Sequence, residues 1–345
     1  MKPYFLLYLL IFYSACVLSQ NTYTVEIMHK DVNTSLRGLC VVNDTVIWTS
    51  GSNGYVGRSV DAGKTWDFKQ IHPYDSAEFR DIEAFDANTA VVMSSVQPAC
   101  ILKTVDGGKT WKEVFRNDDP AIFLDAFDFE GNKGICLGDP INNWFYLLTT
   151  KNRGDSWKEI KNKNNVAPDS TYAFAASGST IQLLEKRIVF FATGGKFSMI
   201  YRSENFGKKW SSMNTAMHSG NQSEGIFSID FRSSYYGYIG GGDYMNPDID
   251  SANFYLAEFQ FSNSLRWDPP FLNPSGYISC IKILPNPSEI IMCGTGGVDV
   301  HYVFTKETKN ISKEGFNVIG RTLANYGKTV FLAGNNGKIG KLIIK

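Results

Sequence analysis

A motif of the form Ser/Thr-x-Asp-x-Gly-x-Thr-Trp recurs through the first two thirds of this chain. Its copies align without gaps at 59–66, 104–111, 150–157 and 203–210. The first two copies are complete, whereas the other two carry Asn152 and Asn205 in place of the aspartate. A repeated unit of this kind indicates an array of similar modules, each too small to bury its own hydrophobic face.

Each residue of the motif has a physical role in a tight hairpin. Asp or Asn bonds to nearby backbone amides, glycine supplies a positive φ, and tryptophan begins the next strand and buries its ring. These positions, known in such repeats as the Asp-box, are therefore predicted to be structural. They are Asp61, Gly63, Trp66, Asp106, Gly108, Trp111, Asn152, Gly154, Trp157, Asn205, Gly207 and Trp210.

A second periodic feature extends the repeat beyond the four motif copies. An apolar strand ending in glycine or serine occurs at 46–51, 90–94, 134–138, 188–194, 238–241, 290–294 and 329–334. Seven such units, mostly about 40 to 55 residues apart, predict an all-β, seven-bladed β-propeller of four-stranded antiparallel blades. A parallel α/β fold is disfavoured, because no amphipathic helix of useful length separates the strands.

The two ends of the chain are predicted to meet. The last unit supplies three strands, near 318–324, 329–333 and 338–344, and lacks an outer one. Residues 23–27 alternate apolar and polar side chains, as a half-buried strand does. Pairing this N-terminal strand with the last blade would close the ring and remove its free edges.

Longer strings narrow the class of propeller. They are RDIEAF at 80–85, Gly-Asp-Pro at 138–140, AFAASG at 173–178, GIFSIDFR at 225–232 and GGDY at 241–244. These strings resemble a bacterial family similar to the photosystem II stability/assembly factor propellers, whose members are frequently labelled "oxidoreductase". The resemblance implies an exported seven-bladed scaffold that binds a protein or peptide. It does not establish a photosynthetic host.

The residues themselves give the oxidoreductase label no support. The chain contains no Rossmann glycine fingerprint, flavin motif, haem Cys-x-x-Cys-His or redox dithiol, so no cofactor is predicted. Its histidines are scattered and no Cys-x-x-Cys pair occurs, so no metal site is predicted either. Its cysteines are interpreted as small buried hydrophobes. One cross-strand pair, Cys280 opposite Cys293, leaves a disulfide open.

The N-terminus indicates export. A lysine, an apolar run and small residues follow one another in residues 1–19, the order of a secretory signal peptide, and 20–345 is predicted to be one propeller domain. An alternative reading is a lipoprotein signal with Cys16 lipidated. The protein is expected to be periplasmic or secreted, monomeric, and without a transmembrane span. Lys plus Arg and Asp plus Glu both number 34, so nothing steers the chain toward nucleic acid.

Propeller geometry predicts which face carries the binding site. The Asp-box hairpins join strands three and four, so the opposite face holds the starts of the first strands and the ends of the second strands. Arg37, Arg80 and Arg321 each precede the end of a second strand by 13 or 14 residues, and are expected to converge on blades one, two and seven. Further candidates at second-strand ends are Asp139, Lys196, Asp243 and Tyr244.

Two functions follow from these residues. Three guanidinium groups could bind a carboxylate of a peptide or an acidic sugar, or each could merely pair with a neighbouring acid such as Asp81. The leading hypothesis is a non-catalytic scaffold for a peptide or protein, with no catalytic residue assigned. The alternative is a sialidase-like glycoside hydrolase, although the Phe/Tyr-Arg-Ile-Pro motif and a clear Tyr/Glu pair are missing. Two acids with perturbed pKa at the channel mouth would favour hydrolysis.

Overall fold

The computed structural model describes residues 21–161, 164–259, 265–268, 273–322 and 329–344. The predicted signal peptide and the alternative lipidation site at Cys16 lie outside these residues. The described chain folds into seven antiparallel sheets, and the first strand of each contacts the first strands of its two neighbours in cyclic order. The predicted seven-bladed β-propeller is therefore confirmed.

The strands follow the blades in sequence, after a first strand that joins the last blade. The first strand is β1 (Tyr23–His29). Blade 1 contains β2 (Leu36–Val41), β3 (Ile47–Gly51), β4 (Tyr55–Ser59) and β5 (Asp67–Gln70). Blade 2 contains β6 (Phe79–Ala84), β7 (Ala90–Ser94), β8 (Ala99–Thr104) and β9 (Lys112–Asn117). Blade 3 contains β10 (Leu124–Glu130), β11 (Lys133–Ile141), β12 (Trp144–Thr150) and β13 (Lys158–Glu159).

The second half of the ring repeats this order. Two short strands, β14 (Thr171–Tyr172) and β17 (Gly194–Gly195), extend the inner edge of blade 5. Blade 4 contains β15 (Ile181–Leu184), β16 (Ile188–Ala192), β18 (Met199–Ser203) and β19 (Ser211–Asn214). Blade 5 contains β20 (Glu224–Phe231), β21 (Tyr236–Asp243), β22 (Phe254–Phe259) and β23 (Leu265–Asp268). Blade 6 contains β24 (Cys280–Ile283), β25 (Glu289–Gly294), β26 (Gly297–Tyr302) and β27 (Glu307–Ser312). Blade 7 contains β28 (Val318–Arg321), β29 (Val330–Ala333) and β30 (Ile339–Ile344).

The N-terminal strand closes the ring as predicted. β1 pairs antiparallel with β30, in a register that sets Tyr23 against Ile344 and Val25 against Leu342. The Tyr23 hydroxyl also donates to the Glu289 carboxylate of blade 6, at 2.5 Å. The first strand of the described chain thus completes the last blade and holds it to its neighbour.

The core lies between the blades. The second strands β3, β7, β16, β25 and β29 are buried along their full length. Because each of these strands has a neighbouring blade on both faces, its apolar residues run consecutively instead of alternating. This packing explains why the strands ending in glycine or serine were the clearest repeat in the sequence.

The Asp-box hairpins also pack one blade against the next. The Asp61 carboxylate accepts hydrogen bonds from the backbone N–H and the hydroxyl of Thr65, at 2.9 and 2.6 Å. These bonds hold the pKa of Asp61 down, at about 2. Gly63 has a φ of +81°, and a Cβ there would lie 2.6 Å from the Phe331 ring of the preceding blade. The motif glycine therefore serves the turn and the contact between blades together.

Inner-strand side chains connect successive blades around the channel. In four blades, an Asp or Gln side chain accepts a hydrogen bond from a backbone N–H of the next blade's first strand. The pairs are Asp81 with Phe127, Asp128 with Leu183, Gln182 with Phe231 and Asp230 with Ile283. Side-chain carboxyl and amide oxygens of one blade thus accept hydrogen bonds from backbone N–H groups of the next blade.

The predicted opposition of Cys280 and Cys293 is confirmed by the pairing of β24 with β25. Both cysteines are free thiols, as are Cys40, Cys100 and Cys136. Directly opposed residues on antiparallel strands fit disulfide geometry poorly, which agrees with the unbonded pair. In the part of the chain that the structure describes, no helix is long and apolar enough to cross a membrane.

Candidate functional site

A cavity of about 690 Å³ opens at the channel mouth where the first strands begin. Arg37 and Arg80 both line it, near the starts of β2 and β6. In each strand the pairing register shifts at the arginine, between Leu36 and Gly38 and between Phe79 and Asp81. Such a β-bulge turns a side chain out of the ladder. The two arginines therefore occupy equivalent positions in neighbouring blades.

The same bulge position is used by two further blades. The register also shifts at Asp125 in β10 and at Phe227 in β20, and both residues line the same cavity. Asp125 and Phe227 precede the glycines that end their second-strand runs, Gly138 and Gly241, by 13 and 14 residues. The spacing that singled out the arginines would therefore have found both residues. They were missed because that spacing was applied to arginine alone.

The placement of Arg321 beside the other two arginines is wrong. Arg321 is the last residue of β28 and lines a separate cavity at the opposite end of the channel. Its guanidinium forms an ion pair with the buried Asp230 carboxylate at 3.1 Å. The connection from β28 to β29 spans residues 322–329 and is longer than the connection between β2 and β3, residues 42–46. Because of this extra length, counting 13 residues back from Gly334 ends at the last residue of β28 and not near its first.

A segment of chain crosses the channel between the two cavities. Residues 173–180, called the plug here, connect β14 to β15. Ala173 to Ala176 line the arginine cavity, and Gly178 with Ser179 line the opposite one. The Ser177 hydroxyl donates to the Ser279 carbonyl of blade 6 at 2.9 Å, which holds the plug to the far side of the ring.

The two arginines hold the plug and keep further donors. Arg37 donates to the Ala176 carbonyl at 3.3 Å, and Arg80 donates to the Ala175 carbonyl at 3.2 Å. Arg80 also pairs with Glu78 at 3.2 Å. Burial, and then the nearby Arg80 charge, lower the pKa of Arg37. Because each guanidinium has five N–H donors, these contacts leave several donors for a ligand.

Two carboxyl groups lie on the cavity wall beside the arginines. Asp139 accepts a hydrogen bond from the Ala173 backbone N–H at 3.1 Å, and burial raises its pKa to about 6. Asp125 is fully buried, and neither of its carboxyl oxygens has a hydrogen-bond partner in the described structure. Burial, and then the neighbouring Asp139, raise the pKa of Asp125 well above its usual range. Such a buried, unpartnered carboxyl is uncommon in proteins.

The other predicted site residues take different roles. Tyr244 lines the arginine cavity and is 48% exposed. Asp243 is buried and accepts hydrogen bonds from the Met245 backbone and the Asn246 side chain, so it anchors the loop after β21. Lys196 is exposed, with its ammonium 5.5 Å from the centre of the Phe197 ring. Arg37, Arg80, Asp139 and Tyr244 therefore share one cavity, whereas Arg321, Lys196 and Asp243 lie outside its lining.

Within the described ranges, no group of three or more histidine, cysteine, aspartate or glutamate side chains could hold a metal ion. Among the described residues, tyrosine donates to glutamate in the pairs Tyr23 with Glu289 and Tyr74 with Glu113. Neither pair lies in the arginine cavity, whose described lining contains no glutamate.

Comparison with known proteins agrees with this architecture. The model of the family described as "Photosynthesis system II assembly factor YCF48" matches residues 95–224. The structure of YCF48 from Cyanidioschyzon merolae superimposes with a TM-score of 0.64 at 15% identity, covering 92% of this chain and 98% of that one. A structure described as YCF48 bound to D1 peptide gives 0.60 at 16% identity, covering 94% and 98%.

Two further proteins match, one in structure and one in sequence. The WD40 β-propeller domain of Doa1 superimposes with a TM-score of 0.64 at 11% identity, over 94% of this chain and 97% of that one. The vacuolar protein sorting/targeting protein 10 of Colletotrichum graminicola (strain M1.001 / M2 / FGSC 10212) is 34% identical over 82 residues, which are 24% of this chain. The match spans only 5% of that relative's length.

Fold and repeat together define the class of this protein, a seven-bladed β-propeller with bacterial-neuraminidase (Asp-box) repeats. Within that class, the resemblance predicted from the sequence is confirmed: residues 95–224 match the model of the YCF48 family, and the fold is similar to that of the YCF48 structures.

Proposed function

We propose that this protein is an exported, non-catalytic scaffold that binds a peptide segment of a protein partner at the arginine cavity. The observation that carries the proposal is the convergence of Arg37 and Arg80, from equivalent bulges of neighbouring blades, on one open cavity. Paired guanidinium groups suit a carboxylate, which they can bind through charge-assisted hydrogen bonds. The relative whose structure is described with a D1 peptide supports a peptide ligand for this kind of propeller.

The cavity is built for a ligand of modest size. Its volume of about 690 Å³ lies within the usual range for small-ligand sites, roughly 300–1,000 Å³. That space suits the end or a short stretch of a peptide, and the remaining contacts would come from the exposed loops of the same face. Export, indicated by residues 1–19, would place the partner among periplasmic, secreted or membrane-exposed proteins.

Loss of the two arginines is expected to abolish partner capture. The double variant Arg37→Ala/Arg80→Ala removes both positive charges of the cavity. The amount of partner captured from the native host's exported fraction should therefore fall at least tenfold relative to the wild type. The double variant Arg187→Ala/Arg232→Ala is the matched control, because both arginines are exposed and lie outside the cavity. Quantitative mass spectrometry of the eluates, with a thermal melt of each variant, measures the effect.

Two outcomes of that capture contradict the proposal. Retention of the partner by Arg37→Ala/Arg80→Ala would show that the arginines only hold the plug. Equal loss in the control pair would show that capture depends on overall positive charge and not on the cavity.

The acid pair favours a second candidate, a glycoside hydrolase acting on acidic sugars. Asp125 and Asp139 both have raised pKa values and lie beside the two arginines, the feature expected of such a site. The absence of a glutamate from the described lining of the cavity weighs against the sialidase type of this chemistry. The test is release of 4-methylumbelliferone from its acidic glycosides. Activity in the wild type that is abolished in Asp139→Asn would show that the protein is a glycoside hydrolase and not a non-catalytic scaffold.

A further inference from the structure

Four aromatic side chains form a wall of the arginine cavity. Phe174 stacks on Phe227 with ring centres 4.0 Å apart and an angle of 11° between the planes. Tyr277 and Tyr244 meet the Phe227 ring edge-on, at 4.9 and 6.0 Å. Phe227 and Tyr277 are buried, whereas Phe174 and Tyr244 keep part of their rings exposed. The wall therefore presents aromatic surface to the cavity on a packed support.

The backbone around Phe174 holds its ring in place. A Cβ added at Gly194 would lie 2.3 Å from the ring edge, and one at Gly225 would lie 3.0 Å from it. Gly225 also has a φ of +148°, which side-chain-bearing residues rarely adopt. These glycines leave the space that the ring fills, so the Phe174 ring is closely packed against the backbone on that side. A preorganised surface loses little conformational entropy on binding.

The aromatic wall and the arginines are one residue apart along the plug. Phe174 directly precedes Ala175 and Ala176, whose carbonyls are bound by Arg80 and Arg37. Arg37, Arg80 and Phe174 also line the same cavity, so one short peptide end can contact the guanidinium donors and the ring together. The carboxyls of Asp125 and Asp139 stand on the same lining.

We propose that the arginine cavity is a subsite for the C-terminal residue of a peptide that ends in an aromatic side chain. The terminal carboxylate binds Arg37 and Arg80, and the terminal ring packs against Phe174 and Tyr244. The inference rests on the proposed scaffold function and specifies the ligand of that same site. An internal Asp or Glu would offer the carboxylate without the ring.

Short fluorescent peptides test this specificity directly. Fluorescein-labelled Gly-Ser-Gly-Ser-Phe is compared with its C-terminal amide and with Gly-Ser-Gly-Ser-Ala by fluorescence anisotropy on the full mature chain. The phenylalanine acid is expected to bind about tenfold more tightly than the alanine acid, from burial of the ring. It is expected to bind at least tenfold more tightly than the amide, which lacks the charge that the arginines bind.

Two sets of variants separate the contributions. Phe174→Leu keeps an apolar side chain against Phe227 and is expected to reduce the preference for phenylalanine over alanine to about twofold, while the preference for acid over amide remains. Arg37→Ala/Arg80→Ala is expected to abolish the preference for acid over amide, while the preference for phenylalanine over alanine remains. Thermal melts confirm that each variant is folded, and Phe174→Ala serves as a second variant at that position.

Each remaining outcome overturns a defined part of the account. Equal affinity for the phenylalanine and alanine acids overturns the aromatic subsite and leaves the scaffold function intact. Equal affinity for acid and amide overturns terminal-carboxylate binding. If no probe peptide binds while the native partner is still captured through the arginines, the C-terminal ligand is wrong and the scaffold stands; if neither occurs, both fail.

Discussion

Deletion of residues 21–30 is expected to lower the melting temperature of the mature chain by about 10 °C and to cause aggregation. The deletion removes β1 from the last blade, exposing the edge of β30 along the register from Tyr23 to His29. It also removes the buried Tyr23 and the partly buried Val25. Full burial of a large apolar side chain contributes about 1.5–3 kcal/mol, so these two together contribute roughly 3–5 kcal/mol. For a domain of this size, each kcal/mol corresponds to roughly 2 °C.

A donor-strand experiment separates loss of the strand from general damage. A synthetic peptide of residues 21–30 added to the truncated chain should restore the melting temperature, because it can pair with the free edge of β30. A scrambled peptide of the same composition is the control. An unchanged melting temperature after truncation would show that β1 contributes little to closure of the ring, and rescue by the scrambled peptide would show that register is not required.

Stability is expected to fall as the pH rises from about 5 to about 8.5, because burial raises the pKa values of several carboxyl groups, those of Asp81, Glu83 and Asp125 among them. Burial raises the pKa of Asp81 to about 8. Its unfolded value is about 3.9, so between these two pH values the folded state holds a proton that the unfolded state has released. Raising the pH therefore favours unfolding, until Asp81 is ionised in both states above pH 8. Asp128, with a pKa raised by burial to about 6, adds to the fall below that pH.

The variant Asp81→Asn tests the contribution of Asp81. Asn retains an oxygen that can accept from the Phe127 backbone N–H but carries no charge, so the cost of burying a carboxylate disappears. The variant should melt several degrees higher than the wild type at pH 8.5, equivalent to a few kcal/mol, and should differ little at pH 5. The exposed Asp250→Asn is the matched control. The same decline in melting temperature with pH in Asp81→Asn would assign the dependence to other groups.

The ring itself could be predicted because its determinants are local. The Asp-box glycines, the buried second strands and the alternating N-terminal strand each leave a pattern within a few residues, and β1 pairs with β30 as that pattern predicts. The contact between Gly63 and Phe331 could not be predicted, because it joins residues that lie far apart in the sequence.

The site was harder to predict because its residues come from bulges and from a crossing segment. Counting from the second strand located Arg37 and Arg80 correctly where the hairpins are short, and misplaced Arg321 where the connection is long. The plug contains AFAASG at 173–178, a string that indicated the family resemblance but no position in the channel. Nothing in its composition indicates that Ala175 and Ala176 would lie in the channel under the arginines.

Hydrogen–deuterium exchange of the protein with and without its captured partner tests the central claim that the arginine mouth is the binding face. The account predicts slower exchange on binding in the plug, 173–180, and around Arg37 and Arg80, where the ligand would cover the backbone. It predicts no change at 229–232, beside the opposite cavity. Protection confined to 229–232 and the neighbouring strand ends, with the plug and the arginine segments unaffected, would contradict it.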